Sequence, residues 1–204
     1  MTRDTSKTLK SLMRMLGLAL LVLPGTALAH PGHEVAGVVH GILHPFTGLD
    51  HLLAMMLVGM FAYQLGGRAL WLLPLSFLGA MALGGFLGFA APGTTAIETG
   101  IAVSVIALGA AVALNVKTPV AVAAAAVGLL AVFHGFAHGA ETPAGGGALS
   151  YGAGFMLGTA LLITIGIASA YALGIVARRA GSSLLRPVGT LAAVVGVGFL
   201  TGMA

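Results

Sequence analysis

Residues 118–141 read TPVAVAAAAVGLLAVFHGFAHGAE. Between Lys117 and Glu141 no side chain carries a formal charge. The stretch is as long as the roughly 20 residues that an α-helix needs to cross a bilayer core. Comparable apolar segments flank it at 49–65, 69–91, 95–115, 148–177 and 184–203. The first of these extends back toward Val35 with a break at Pro45, which lacks a backbone donor. The segment at 148–177 is long enough to tilt or to include a turn. Hydrophobic residues make up 58% of the chain and charged residues 7%, against about 25% charged in soluble domains. So little charge cannot cover a water-facing surface. A soluble enzyme, a nucleic-acid-binding protein and a disordered tail are excluded. The 32 glycines lie within Ala/Leu/Val runs, where they let membrane helices approach closely. The expected fold is all-α, a polytopic membrane helix bundle with six transmembrane helices.

The N-terminal region reads as an address. Arg3, Lys7, Lys10 and Arg14 precede a short apolar run from Met15 to Leu23, then Pro24, Gly25 and Ala27-Leu28-Ala29. A basic region, a short apolar core and an A-x-A end form a cleavable secretory signal over residues 1–29. The membrane domain is then residues 30–204, starting His30-Pro31-Gly32-His33-Glu34 outside the cytoplasmic membrane. That domain keeps five basic and four acidic residues, so the basic isoelectric point says nothing about nucleic acid. With cysteine absent, disulfides and thiolate metal sites are excluded.

The remaining charges sort by side. With His30 outside and six crossings, both termini are periplasmic. Arg68, Lys117, Arg178, Arg179 and Arg186 then fall on the cytoplasmic side, as the positive-inside rule requires. Glu34, Asp50, Glu98, Glu141 and all seven histidines fall on or near the outer half.

Two constellations there carry chemistry. His134, His138 and Glu141 stand at offsets of zero, four and seven, which puts them on one helix face where they can bind a divalent ion. Gly135 and Gly139 form a neighbouring small-residue stripe suited to close helix packing. The second constellation is His44-Pro45-Phe46-Thr47-Gly48-Leu49-Asp50-His51. An unbroken helix would place His40, His44 and His51 on one face, but Pro45 and Gly48 favour a broken one, the device with which transporters coordinate ions. Asp50 is open to two roles, direct ligand or acceptor that fixes an imidazole tautomer, besides capping a helix that starts at His51. Glu98, beside Thr99 and Ser104, is a third polar element. His30 and His33 are candidates for gathering ions at the mouth. Met55, one turn after His51, offers a soft sulfur or simply packs.

Imidazole with some carboxylate suits nickel, cobalt, zinc or copper(II), and suits magnesium or calcium poorly. No nucleotide-binding motif is present, so transport would draw on the membrane potential, a proton gradient or a partner. The outer half alone is polar. For the Ala/Val-rich inner half, backbone carbonyls at Gly84, Gly85 and Gly88 or nearby Ser and Thr are the expected aids to passage.

The pairing of His44-Pro45-x-x-Gly48-x-Asp50-His51 with Phe133-His134-Gly135-x-Ala137-His138-Gly139-x-Glu141-x-Pro143 resembles the HupE/UreJ family. Glu98-Thr99-Gly100-Ile101-Ala102-x-Ser104 is similar to a further polar motif of that family. The His-x5-Asp-His spacing is also similar to the His-x4-Asp-His signature of the larger nickel/cobalt transporter family. The resemblance covers essentially the whole chain. It implies a permease of the bacterial inner membrane, secondary uptake of Ni²⁺ or Co²⁺ as substrate, no permanently bound cofactor, and a link to hydrogenase or urease maturation. It places the ion on His44, Asp50, His51, His134, His138 and Glu141. Two other readings compete. One is a zinc-dependent intramembrane hydrolase, although H-E-x-x-H is absent; the other is a bis-histidine haem protein.

Overall fold

The computed structural model describes residues 35–89, 91, 94–142, 147–180 and 184–203. The expected signal segment, His30 and His33 lie outside the described residues. Among the described residues there are seven α-helices and no strand. They are α1 (Val35–Leu43), α2 (Leu49–Leu65), α3 (Ala69–Gly88), α4 (Thr95–Leu114), α5 (Val120–Ala140), α6 (Ala148–Ala180) and α7 (Leu185–Thr201). A short 3-10 turn, His44–Phe46, joins α1 to α2.

Four of these helices, α3 to α6, are long and apolar enough to cross a membrane. The α1–turn–α2 unit passes the same test only when its two arms are taken together, and they meet at 80°. The break falls where Pro45 opens the 3-10 turn and Gly48 takes an extended conformation as N-cap of α2, so the broken helix is realised. At 1.5 Å per residue, the 33 residues of α6 reach about 50 Å, well beyond a hydrocarbon core of roughly 30 Å. It runs without a turn. The 17 residues of α7 reach only about 25 Å.

The surface is apolar and the centre holds the polar groups. Trp71, Leu75, Phe86, Leu129, Leu149 and Leu191 are exposed, whereas His134, His138, Ser104 and Thr159 are buried. That arrangement suits a lipid environment, where burial must satisfy polar groups rather than hide apolar ones. The core beneath the histidines is built from Phe77, Met55, Leu57, Leu73 and Met81. Met55 is thus a fully buried packing residue within this core.

Helix pairing follows small residues. A Cβ on Gly135 would strike the Met81 carbonyl oxygen, and one on Gly139 the carbonyl of Gly85. From the other side, a Cβ on Gly84 or Gly88 would strike the carbonyls of Val132 or Phe136. The expected stripe on α5 therefore meets a matching stripe on α3, and backbone packs on backbone. This corrects the expectation for Gly84, Gly85 and Gly88. They sit in the α3–α5 seam at the level of the histidines, not along an inner-half path, because α3 turns its glycines toward α5. Ser76 ties the same pair lower down by donating to the Ala124 carbonyl at 2.6 Å.

The ends of the bundle are chemically distinct. Lys117 Nζ donates to the Gln64 carbonyl at 2.8 Å, and Gln64 Nε2 donates to the Val112 carbonyl at 2.9 Å. These bonds tie the ends of α2 and α4 together beside Lys117. At the opposite end, the starts of α2 and α4 and the ends of α5 and α7 surround a shared cavity.

Candidate metal path

The 80° break is what places the site. It turns His40 and His44, on α1 and the 3-10 turn, toward α5 and α6 rather than leaving them in line above His51. The His44 ring lies 5.0 Å from that of His138, centre to centre. The His138 ring lies 4.3 Å from His51, and His51 lies 4.9 Å from His134. His40 stands 6.0 Å above His44 and is exposed. Five imidazoles thus form one file from an exposed end to a fully buried one. The two sequence motifs interleave in space, with His138 between His44 and His51.

At the upper end, Glu141 Oε2 is 3.4 Å from both His44 Nε2 and His138 Nδ1. These are electrostatic contacts rather than well-formed hydrogen bonds, and they leave the donor atoms available. One nitrogen or oxygen from each of His44, His138 and Glu141 falls within 4.8 Å of the others. Bond lengths of about 2.1 Å in a tetrahedral site correspond to ligand separations of roughly 3.4 Å, so this trio is close to closure around an ion. Proximity to His138 holds the Glu141 carboxyl below its ordinary range, so it supplies negative charge.

Asp50 Oδ1 accepts from the His51 backbone N–H at 2.8 Å and lies 2.7 Å from His51 Nδ1. The helix begins at Leu49 with Gly48 as N-cap, so the expected cap position is revised. Asp50 sits in the first turn and clamps its neighbour. A carboxylate can only accept, so in the neutral His51 ring Nδ1 carries the proton and Nε2 is left as the bare nitrogen. His51 Nε2, His134 Nδ1 and His138 Nε2 are all buried without a partner.

Glu98 is exposed and does not enter the file. It lines an open cavity of about 730 Å³ together with Asp50, His51, Thr95, Thr99 and Glu141. Three residues escaped the sequence reading in part or whole. Ser104 Oγ lies 2.7 Å from His134 Nε2. Phe155 packs on His138 at 4.0 Å, and Tyr151 stands 5.7 Å from His44. Tyr151 and Phe155 are aromatic at a four-residue spacing in a helix otherwise made mostly of small and aliphatic residues, which was the available signal.

The sequence profile of the HupE / UreJ protein family matches residues 18–199. The chain belongs to the HupE/UreJ family. Protein HupE of Rhizobium leguminosarum bv. viciae is 43% identical over 185 residues, covering 91% of this chain and 95% of the relative. No solved structure matches. Both histidine motifs of this HupE/UreJ chain lie within the matched residues.

Proposed function

We propose that the protein is a secondary permease for a divalent transition-metal ion, Ni²⁺ or Co²⁺, taken up across the bacterial inner membrane. The observation that carries this reading is the file of imidazoles, with centre-to-centre steps of 5.0, 4.3 and 4.9 Å from His44 to fully buried His134. Spaced donors let an ion exchange ligands one at a time without full rehydration. In this reading α7 and the bent α1–α2 unit complete six crossings, both termini are periplasmic, and the histidine end faces outward. Glu98, Glu141 and Asp50 draw cations into the open cavity. His44, His138 and Glu141 form the capture site, with His40 at the mouth. His51 and His134 receive the ion below, and Asp50 holds His51 in its ligating tautomer. The metal is substrate, not resident cofactor, and its destination is the maturation of a nickel enzyme, a hydrogenase or urease.

Beneath His134 the path is closed by apolar packing, with the Phe77 ring 5.8 Å away. Passage therefore requires a second conformation. The driving force is available without nucleotide, since an inward divalent cation gains about 4.6 kcal/mol per 100 mV.

The test is uptake of radiolabelled Ni²⁺ and Co²⁺ by metal-transport-deficient cells at matched membrane expression. Wild type accumulates metal, and His44→Ala, Asp50→Ala, His51→Ala and His138→Ala do not. Equal uptake by all of them contradicts the reading. One observation favours a second reading: two histidines and a glutamate at this spacing are also a catalytic zinc set. Zinc that resists chelation in the purified protein, with no uptake, would favour an intramembrane hydrolase.

A further inference from the structure

We propose that Ser104 is a positioning residue that sets the tautomer of His134, making Nδ1 the nitrogen that receives the ion. The proposal rests on the metal-path reading above, in which His134 is the deepest ligand.

The argument is one of proton counting. Ser104 is fully buried in α4, and its hydroxyl has a single proton. Its Oγ stands 2.7 Å from the Ile101 carbonyl oxygen and 2.7 Å from His134 Nε2. Two oxygens at that distance repel unless a proton lies between them. The hydroxyl therefore donates to the carbonyl one turn back in its own helix, and toward His134 it presents only a lone pair. His134 Nε2 must then bring the proton to this second contact. A neutral imidazole has one N–H, so Nδ1 is left bare. That same atom is buried and has no partner.

Asp50 fixes His51 in the opposite sense, holding Nδ1–H and leaving Nε2 bare. The two neighbouring rings, 4.9 Å apart and nearly perpendicular at 89°, thus both offer a lone pair, each set by a different orienting side chain. Removing the hydroxyl frees the His134 ring to take either tautomer. In the Nδ1–H form a proton points where the ion must bind. Loss of such an outer partner lowers metal affinity about ten-fold or more.

The experiment uses the full chain in lipid nanodiscs with isotope-labelled histidine. Ring-nitrogen NMR shifts distinguish protonated from bare nitrogens, and His134→Ala identifies the His134 signals. Wild type should show His134 as the Nε2–H form, and Ser104→Ala a mixture. Calorimetric titration with NiCl₂ should show affinity about ten-fold lower in Ser104→Ala, with Ser104→Thr restoring it. A wild-type His134 in the Nδ1–H form, or undiminished Ni²⁺ affinity in Ser104→Ala, overturns the proposal. If His134→Ala matches wild type in both the affinity and the number of Ni²⁺ ions bound, His134 is not a ligand and the metal-path reading fails at its deepest member, so the two failures are told apart.

Discussion

The imidazole of His138, on α5, lies 4.3 Å centre to centre from that of His51, on α2. This contact joins two histidine motifs into one file, because His138 also approaches His44 and Glu141 from its other side. The file explains why so few polar residues suffice: each serves two neighbours in turn.

Asp50→Asn keeps the shape but can turn an amide N–H toward His51 Nδ1 and release the fixed tautomer. Uptake of Ni²⁺ should fall by about 10–100-fold with membrane expression unchanged. Initial-rate measurements on cells with matched protein levels check this.

Glu141 supplies charge at an exposed position, with its side chain 59% accessible. Glu141→Gln should therefore raise the KM for Ni²⁺ several-fold while leaving the maximal rate near that of wild type. A fall in maximal rate with unchanged KM would instead place Glu141 in a deeper step.

Protons and metal compete for the same imidazole lone pairs. Ni²⁺ affinity should be fully present at neutral pH and fall as the pH is lowered into the mildly acidic range and protons take those lone pairs. The Glu141 carboxyl is held below its ordinary value, so it stays ionised through this window and the loss is assigned to the histidines. Calorimetric titrations across neutral to mildly acidic pH check the sign.

At Gly84, Gly88, Gly135 and Gly139 the α3–α5 seam has no room for a side chain. Gly135→Val would drive its Cβ into the Met81 carbonyl and should destabilise the protein by about 2 kcal/mol or more, as overpacking does. Gly79 lies on the same helix α3 with nothing within 4 Å of an added Cβ, so Gly79→Ala should be neutral or stabilising. Thermal unfolding of the two purified variants separates them.

Much of this was legible in the sequence because lipid imposes simple rules. The apolar runs at 69–91, 95–115 and 118–140 became α3, α4 and α5, and Pro45 with Gly48 marked the break. His134, His138 and Glu141 were placed on one face by helical spacing alone. What was not legible depended on tertiary contact. Gly135 and Gly139 announced a close neighbour but not that it is α3. The 80° turn that carries His44 to His138 cannot be read from Pro45, which fixes a break but not its direction. Ser104 looked like one of several hydroxyls, and only its shared 2.7 Å contacts with Ile101 and His134 distinguish it.

The most direct test of the metal file addresses its middle member. Purified protein in sealed vesicles, under an inside-negative potential, is given external Ni²⁺, and internal Ni²⁺ is followed with time. Wild type should accumulate the ion and His138→Ala should not, since one substitution removes the link between the capture site and His51. Equal accumulation by both proteins would contradict a path through these histidines.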